Sequence, residues 1–225
     1  MNLICPVCET ANLRTFYQSL SRCPDCGMIT ASVAPSVEAV KAMYESQYFN
    51  GDEYSDYLGD KRVIQRNMRK WLSVVRQYVP SGVLVEVACA YGFFLELAQR
   101  QFTVKGYDVA KEVDSYARQN LRVPVTDIDF LSVDSLAPGS VDVIVMWDFL
   151  EHAAQPRQFI ERAERMLRPG GYLFMIASVL AFLEIQIEGK AGWAEKLPTW
   201  KWDSPRLRKL LGKPITGYHV WFNAM

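Results

Sequence analysis

At 225 residues, half of them apolar, the chain is long enough for one full core plus a small appendage, so one main domain is expected. Lysine plus arginine balances aspartate plus glutamate at 25 each, which excludes recruitment of nucleic acid or membrane by global charge and leaves only local patches. The start, MNLICPVCET, carries neither the charged lead nor the apolar run of a signal peptide, and no later segment has the pattern of a membrane span, so the expected location is the cytoplasm.

Residues 1–30 form a unit of their own. CPVC at Cys5 to Cys8 and CPDCG at Cys23 to Gly27 are separated by fourteen residues. Each pair puts two sulfurs on one tight turn, and two such turns close a tetrahedron around structural Zn²⁺, with Cys5, Cys8, Cys23 and Cys26 as ligands. A pair of disulfides is the competing reading, disfavoured in a reducing compartment. Arg14 and Arg22 are the only basic residues of this ribbon, so no nucleic acid is expected on it and a scaffold or partner-docking role is favoured.

Residues 31–80 read as a helical cap or linker. SVEAVKAMYES and KRVIQRNMRKWLSVVRQYV have helical periodicity, and YFNGDEYSDYLGD joins them. In the second helix Ile64, Met68, Trp71, Leu72, Val75 and Val79 form one apolar stripe. Its Lys61, Arg62, Arg66, Arg69, Lys70 and Arg76 are expected on a solvated face rather than around an anion.

Residues 81–225 read as an α/β domain. Short apolar runs at Val83 to Ala88, Thr103 to Tyr107, Val123 to Val125, Val141 to Met146 and Tyr172 to Ala177 alternate with helical stretches, the pattern of right-handed βαβ units on a mostly parallel sheet flanked by helices. RPGG, Arg168 to Gly171, is expected to stop a helix and return the chain to the sheet. In such a sheet ligands sit beyond the carboxyl ends of the strands. Four places qualify: the loop from Glu86 to Gly92; Asp108 in GYDVA, twenty-two positions later and suited to ribose hydroxyls; VTDID; and MWDFLEH, Met146 to His152.

Together, LVEVACAYGFFLELA, GYDV and VDVIVMWDFLEHAAQPRQFIERAERMLRPGGYLFM resemble the class I S-adenosylmethionine-dependent methyltransferases, in the branch with EH after the fourth strand and often a two-knuckle zinc ribbon in front. The resemblance covers nearly all of residues 1–180 and implies a Rossmann-like fold with S-adenosylmethionine as cofactor. It implies that Glu86 and the backbone of Ala88, Ala90, Tyr91 and Gly92 hold the amino acid end of the cofactor. Asp108 and Val109 then meet the ribose, Asp127 and Ile128 flank the adenine, with Asp129 as the alternative in register, and Trp147 and Asp148 lie under the methionine portion, where an aromatic face meets the sulfonium. The family loop has an acidic residue followed by three glycines at alternate positions; two of those glycines are Ala88 and Ala90 here. Alanine serves where φ is negative and one methyl fits, with Ala88 the weakest point.

Methyl transfer is an in-line displacement, and a base is needed when the nucleophile is a hydroxyl or a protonated amine. His152 is the base candidate, with Glu151 orienting it or capping the next helix; the competing reading is a buried histidine that bonds backbone to hold the loop. Tyr91 and the Tyr44 to Tyr57 group are expected to pack at the domain junction rather than form a lid. Cys89 is expected to be a small core residue.

Only 48 residues follow Ala177, where the family continues to two closing strands. Either those strands are lacking, or LAFLEIQIE and GYHVWFN do their work in another arrangement. From Lys190 the tail carries seven basic residues against Glu195 and Asp203, with Trp193, Trp200, Trp202 and Trp221 interspersed. An anionic acceptor or a peripheral membrane surface suits that mixture, though solvated charges beside buried tryptophans are favoured; His219 would then reach the acceptor. The expected function is methyl transfer to a small-molecule or glycan acceptor, with a degenerate docking module as the alternative and a nicotinamide oxidoreductase a distant third. No motif specifies the acceptor atom or an oligomeric state.

Overall fold

The computed structural model describes residues 3–17, 20–32, 56–176 and 219–220. The amino-terminal strands β1 (Arg14–Tyr17), β2 (Leu20–Arg22) and β3 (Ile29–Ala31) form an antiparallel sheet in the order β1-β2-β3. Both cysteine turns have the same hydrogen-bonded geometry. Cys5 N–H donates to Thr10 C=O at 2.8 Å and Glu9 N–H to Cys5 C=O at 3.0 Å; Cys23 N–H donates to Met28 C=O at 2.8 Å and Gly27 N–H to Cys23 C=O at 3.0 Å. The equivalent residues Glu9 and Gly27 both have positive φ, 61° and 80°.

Helix α1 (Lys61–Tyr78) buries Gln65, Met68, Leu72 and Val75, as three- and four-residue steps require. Arg62, Arg66, Arg69, Lys70 and Arg76 are exposed; Lys61 instead pairs with Glu96 at 2.8 Å. Trp71 packs on Trp147 at 5.1 Å between ring centres and Tyr78 on Tyr172 at 5.6 Å, so α1 lies across the sheet with its amino end at the strands' carboxyl edge.

The main sheet comprises β4 (Gly82–Val87), β5 (Phe102–Asp108), β6 (Val125–Asp127), β7 (Val141–Trp147), β8 (Leu167–Ile176) and the two-residue β9 (His219–Val220). Its order is β6-β5-β4-β7-β8-β9 and every pairing is parallel. Between them run α2 (Phe93–Ala98), α3 (Lys111–Tyr116) with a following π turn, and α4 (Pro156–Met166). The order reverses between β4 and β7, which opens a crevice at their carboxyl ends. Strand alternation sends Leu84, Val143 and Val145 to the face covered by α1, α2 and α3, and Val85, Val87, Ile144 and Met146 to the face covered by α4. Phe93, Phe94 and Leu95 at the start of α2 are buried to within 1% of completely, each contributing roughly 1.5–3 kcal/mol.

Three expectations shift. The third parallel strand begins at Val125 rather than Val123, because Pro124 has no N–H for the ladder; its carbonyl still accepts from Gly106 N–H at 2.9 Å. RPGG does not itself end α4, which closes at Met166; Leu167 already pairs with Val141, and pairing resumes at Tyr172 with Val143, so the four residues bulge from the edge of the ladder. Gly170 has φ 78°, and a Cβ on Gly171 would meet Arg168 O at 3.0 Å and Val141 O at 3.1 Å. Of the closing segments, GYHVWFN supplies a strand: His219 pairs with Phe174 and Val220 with Met175. The helix expected at SVEAVKAMYES, the LAFLEIQIE segment and the basic tryptophan-rich tail lie outside the described residues, and the side chain of His219 is likewise undescribed. Among the described residues no helix is long and apolar enough to cross a membrane.

Candidate functional site

The loop after β4 carries the largest departure from expectation. Ala88 and Ala90 do not sit at negative φ: their values are 55° and 44°, beside 76° for Gly92. The chain therefore keeps a glycine-type backbone with two alanines in it, at a strain of about 1–2 kcal/mol each. Long-range bonds hold this shape. Ala88 and Cys89 N–H donate to Tyr107 C=O at 2.8 and 3.3 Å, and Ala90 N–H donates to Asp108 Oδ2 at 2.8 Å. Gly106, opposite Glu86 in the ladder, lets α2 and the loop lie close: a Cβ there would fall 2.5 Å from Leu95 Cδ1 and 2.7 Å from Cys89 Sγ. Cys89 is buried and behaves as a packing residue.

Asp108 joins two loops, since its Oδ1 accepts from Ala110 N–H at 2.9 Å while Oδ2 holds Ala90. Burial pushes its carboxyl up, against the N–H groups of Ala110, Ala90 and Val109, which pull it down. With about four lone-pair sites, the carboxyl retains acceptor capacity beyond these bonds. Glu86 lies beside it, 2% exposed, with Oε2 shielded and without a hydrogen-bond partner. Burial first, and then the charge of Asp108, holds the Glu86 carboxyl well above the usual carboxylate range. A cationic or hydrogen-bonding ligand group is what this pair of acids lacks.

At the end of β6, Asp127 is exposed and in register with Asp108 across the ladder, with Ile128 half-buried beside it. Asp129 caps the turn that follows through Leu131 N–H at 2.9 Å, which leaves Asp127 as the residue presented at the strand end. At the end of β7, Trp147 is gripped by Trp71 of α1 and by Phe94 of α2, edge-on at 5.2 Å. Asp148 follows with φ 46°, its N–H bonded to Ile176 C=O at 2.8 Å. The residue is exposed overall, yet the packed protein around its carboxyl, and then the charge of Glu151, push it up to about 6. Solvent screening keeps the attached stability small.

Glu151 and His152 close a 3₁₀ turn, Leu150–His152, with Glu151 half-buried and His152 exposed. His152 is therefore not buried, as the competing reading had it. Tyr91 is 4% exposed and packs against Tyr57 at 5.7 Å and Tyr116 at 5.1 Å, a junction rather than a lid; Tyr44, Tyr48 and Tyr54 lie outside the described residues.

Gln65 was invisible in the stripe of α1. It is 7% exposed and its Nε2 donates to Phe93 C=O at 3.1 Å and to Glu96 Oε2 at 2.6 Å, while Lys61 Nζ pairs with the same carboxylate at 2.8 Å. These bonds fasten α1 to the first turn of α2, just past the strained loop. The available signal was a polar residue in step with Met68, Leu72 and Val75. A depression lined by Ser73, Arg76, Gln77, Pro80 and Gln101 opens at the opposite, amino end of β4 and β5, away from these groups.

In the ribbon, Cys5, Cys8, Cys23 and Cys26 place all four Sγ atoms within 4.8 Å of one another, with Cys5 to Cys26 at 3.6 Å and Cys8 to Cys23 at 3.5 Å. The cysteines are free, so the disulfide reading is not what the chain adopts here. Tetrahedral zinc with Zn–S bonds of about 2.3 Å sets sulfurs about 3.8 Å apart, close to the 3.6 and 3.5 Å of these two pairs. Glu9 of this unit pairs with Arg157 of α4 at 3.2 Å.

Residues 85–175 match a family model described as a methyltransferase domain. A ubiquinone biosynthesis O-methyltransferase of Xanthomonas campestris pv. campestris (strain B100) is 31% identical over 106 residues, 44% of this chain and 44% of that protein. One of the same name from Idiomarina loihiensis is 30% identical over 97 residues, 40% of each chain. The chain thus matches less than half the length of these curated relatives. The crystal structure of the PH0226 protein from Pyrococcus horikoshii OT3 superposes with a TM-score of 0.52 at 19% identity, covering 67% of this chain and 72% of that one, a likeness of fold.

Proposed function

We propose, from the match of residues 85–175 to a family model described as a methyltransferase domain, that the chain binds S-adenosylmethionine and transfers its methyl group to a small-molecule or glycan acceptor. The observation that carries this reading is the buried, unpartnered Glu86 Oε2 beside Asp108 at the crevice where the strand order reverses. An ammonium there would stabilise the ionised Glu86, and ribose hydroxyls suit the free lone pairs of Asp108. Ala88, Ala90, Tyr91 and Gly92 supply the loop backbone, Val109 meets the ribose beside Asp108, and Asp127 and Ile128 flank the base.

The cofactor supplies an electrophilic methyl on a sulfonium, whose carbon–sulfur bond breaks as the bond to the acceptor forms. This chain's residues bind, orient and deprotonate. The face of Trp147 suits the sulfonium cation. The relatives' name favours an oxygen nucleophile, so a proton must leave the acceptor. His152, exposed at the crevice edge, takes it as general base, while Glu151 orients it and Asp148 adds negative potential. The order of parts is a zinc ribbon over residues 1–30, a helical cap over 31–80 and the catalytic domain from 81 on. Zinc on the four free thiols fits a reducing compartment, which gives the cytoplasm as location.

Calorimetric titration of zinc-loaded protein with S-adenosylmethionine and S-adenosylhomocysteine tests the reading, beside Asp108→Ala. Micromolar binding that this substitution abolishes is expected. A folded chain that binds neither ligand would overturn it in favour of a docking module.

A further inference from the structure

Two shielded polar atoms without a hydrogen-bond partner stand at neighbouring strand ends: Glu86 Oε2 on β4 and Trp147 Nε1 on β7. Glu86 is in register with Val145, and Trp147 lies two residues further on, so both side chains project to the face covered by α1 and α2. Ideal parallel strand geometry places their Cα atoms about 8 Å apart. The indole is not free to seek a partner elsewhere. Trp71 at 5.1 Å and Phe94 at 5.2 Å hold its ring from two helices. An indole N–H only donates, and a carboxyl as deeply buried as Glu86 seeks a donor or a cation when ionised. The two together are complementary to a ligand end that carries an acceptor anion and a donor cation a few ångströms apart.

Resting on the methyltransferase reading, we propose that the Trp147 indole N–H binds the α-carboxylate of the cofactor's amino acid end while Glu86 takes its ammonium. Trp147 is then a specificity residue as well as an aromatic surface. It rejects ligands that keep the adenosyl and sulfur portions but lack the carboxylate, because such ligands leave the buried N–H unpartnered. The tilt imposed by Trp71 makes the cap helix part of that selection.

The test is a cycle of one residue change and one ligand change, read by calorimetry. The ligands are S-adenosylhomocysteine and its decarboxylated form, S-adenosyl-3-thiopropylamine, which retains the ammonium. Wild type is expected to bind the decarboxylated form at least tenfold more weakly, in keeping with a hydrogen bond to a charged group. Trp147→Phe, which keeps an aromatic ring, should lose at least tenfold for S-adenosylhomocysteine and less than twofold for the decarboxylated ligand. A loss shared equally by both ligands, or no loss, overturns the assignment while leaving the methyltransferase reading intact. Failure of wild type to bind S-adenosylhomocysteine overturns both. Should Trp147→Phe not fold, the indole ¹⁵N–H resonance of Trp147 in wild type decides: it should move downfield with S-adenosylhomocysteine and stay in place with the decarboxylated ligand, and equal movement with both refutes the bond.

Discussion

Replacing the two strained alanines by glycine should make the protein more stable, against the usual sign for glycine substitution. Ala88 and Ala90 sit at φ 55° and 44°, where an L side chain costs about 1–2 kcal/mol. Glycine removes that cost and returns roughly 0.5–1 kcal/mol through the larger entropy of the unfolded chain. The net gain is on the order of 0.5–1 kcal/mol per site, or about 1–2 kcal/mol for Ala88→Gly with Ala90→Gly. For a chain of this size that is a rise of roughly 2–8 °C in Tm. Gly92→Ala is the opposite control: at φ 76° its new Cβ would lie 3.0 Å from Val123 Cγ2 and 3.5 Å from Ala117 Cβ, so strain and crowding add. It should lose about 1–3 kcal/mol. Denaturant and thermal unfolding of the zinc-loaded proteins measure both arms. An unchanged or lower midpoint in the double glycine variant would refute the left-handed loop and the strain assigned to it.

Glu86→Gln should flatten the dependence of stability on pH. The folded carboxyl is held above its unfolded value, by burial and then by Asp108, so the folded state keeps the proton longer. Stability is therefore lost as pH rises from the unfolded carboxylate range through the folded value. The variant should be more stable at neutral pH and bind cofactor at least tenfold more weakly; an unchanged pH slope would contradict the burial argument. Asp148, pushed up to about 6, should titrate with that midpoint by carboxyl NMR, and Glu151→Gln should lower it by removing the neighbouring charge. No movement would mean that Glu151 does not act on it. Gln65→Leu should cost about 1–2 kcal/mol by unfolding, since Glu96 loses a buried donor; a neutral result would show that Lys61 alone fastens α1 to α2. Elemental analysis should find one zinc per chain, and Cys23→Ser should lose most of it; retention of full zinc would remove the ribbon assignment.

Much of this protein was legible in one dimension because the relevant signals are local. The C-x₂-C spacing brings two sulfurs to one turn whatever lies beyond, and the structure gathers all four within 4.8 Å. Apolar runs of strand length alternating with helical ones mark a parallel sheet, and the strand ends that follow placed Glu86, Asp108, Asp127 and Trp147. Other features depend on contacts between residues far apart in the chain. The third parallel strand starts after Pro124, which has no N–H for the ladder and offers only its carbonyl, to Gly106 eighteen residues earlier. Ala88 and Ala90 are driven to positive φ by bonds to Tyr107 and Asp108 on the next strand, which local preference would have denied. Gln65 matters only because α1 lies on α2. Likewise, the unpartnered Glu86 and Trp147 acquire a joint meaning from the β4–β7 register. Spacing and periodicity are written along the chain, whereas the backbone angle of a strained residue and the partner of a buried polar atom are set by whichever segments the fold packs together.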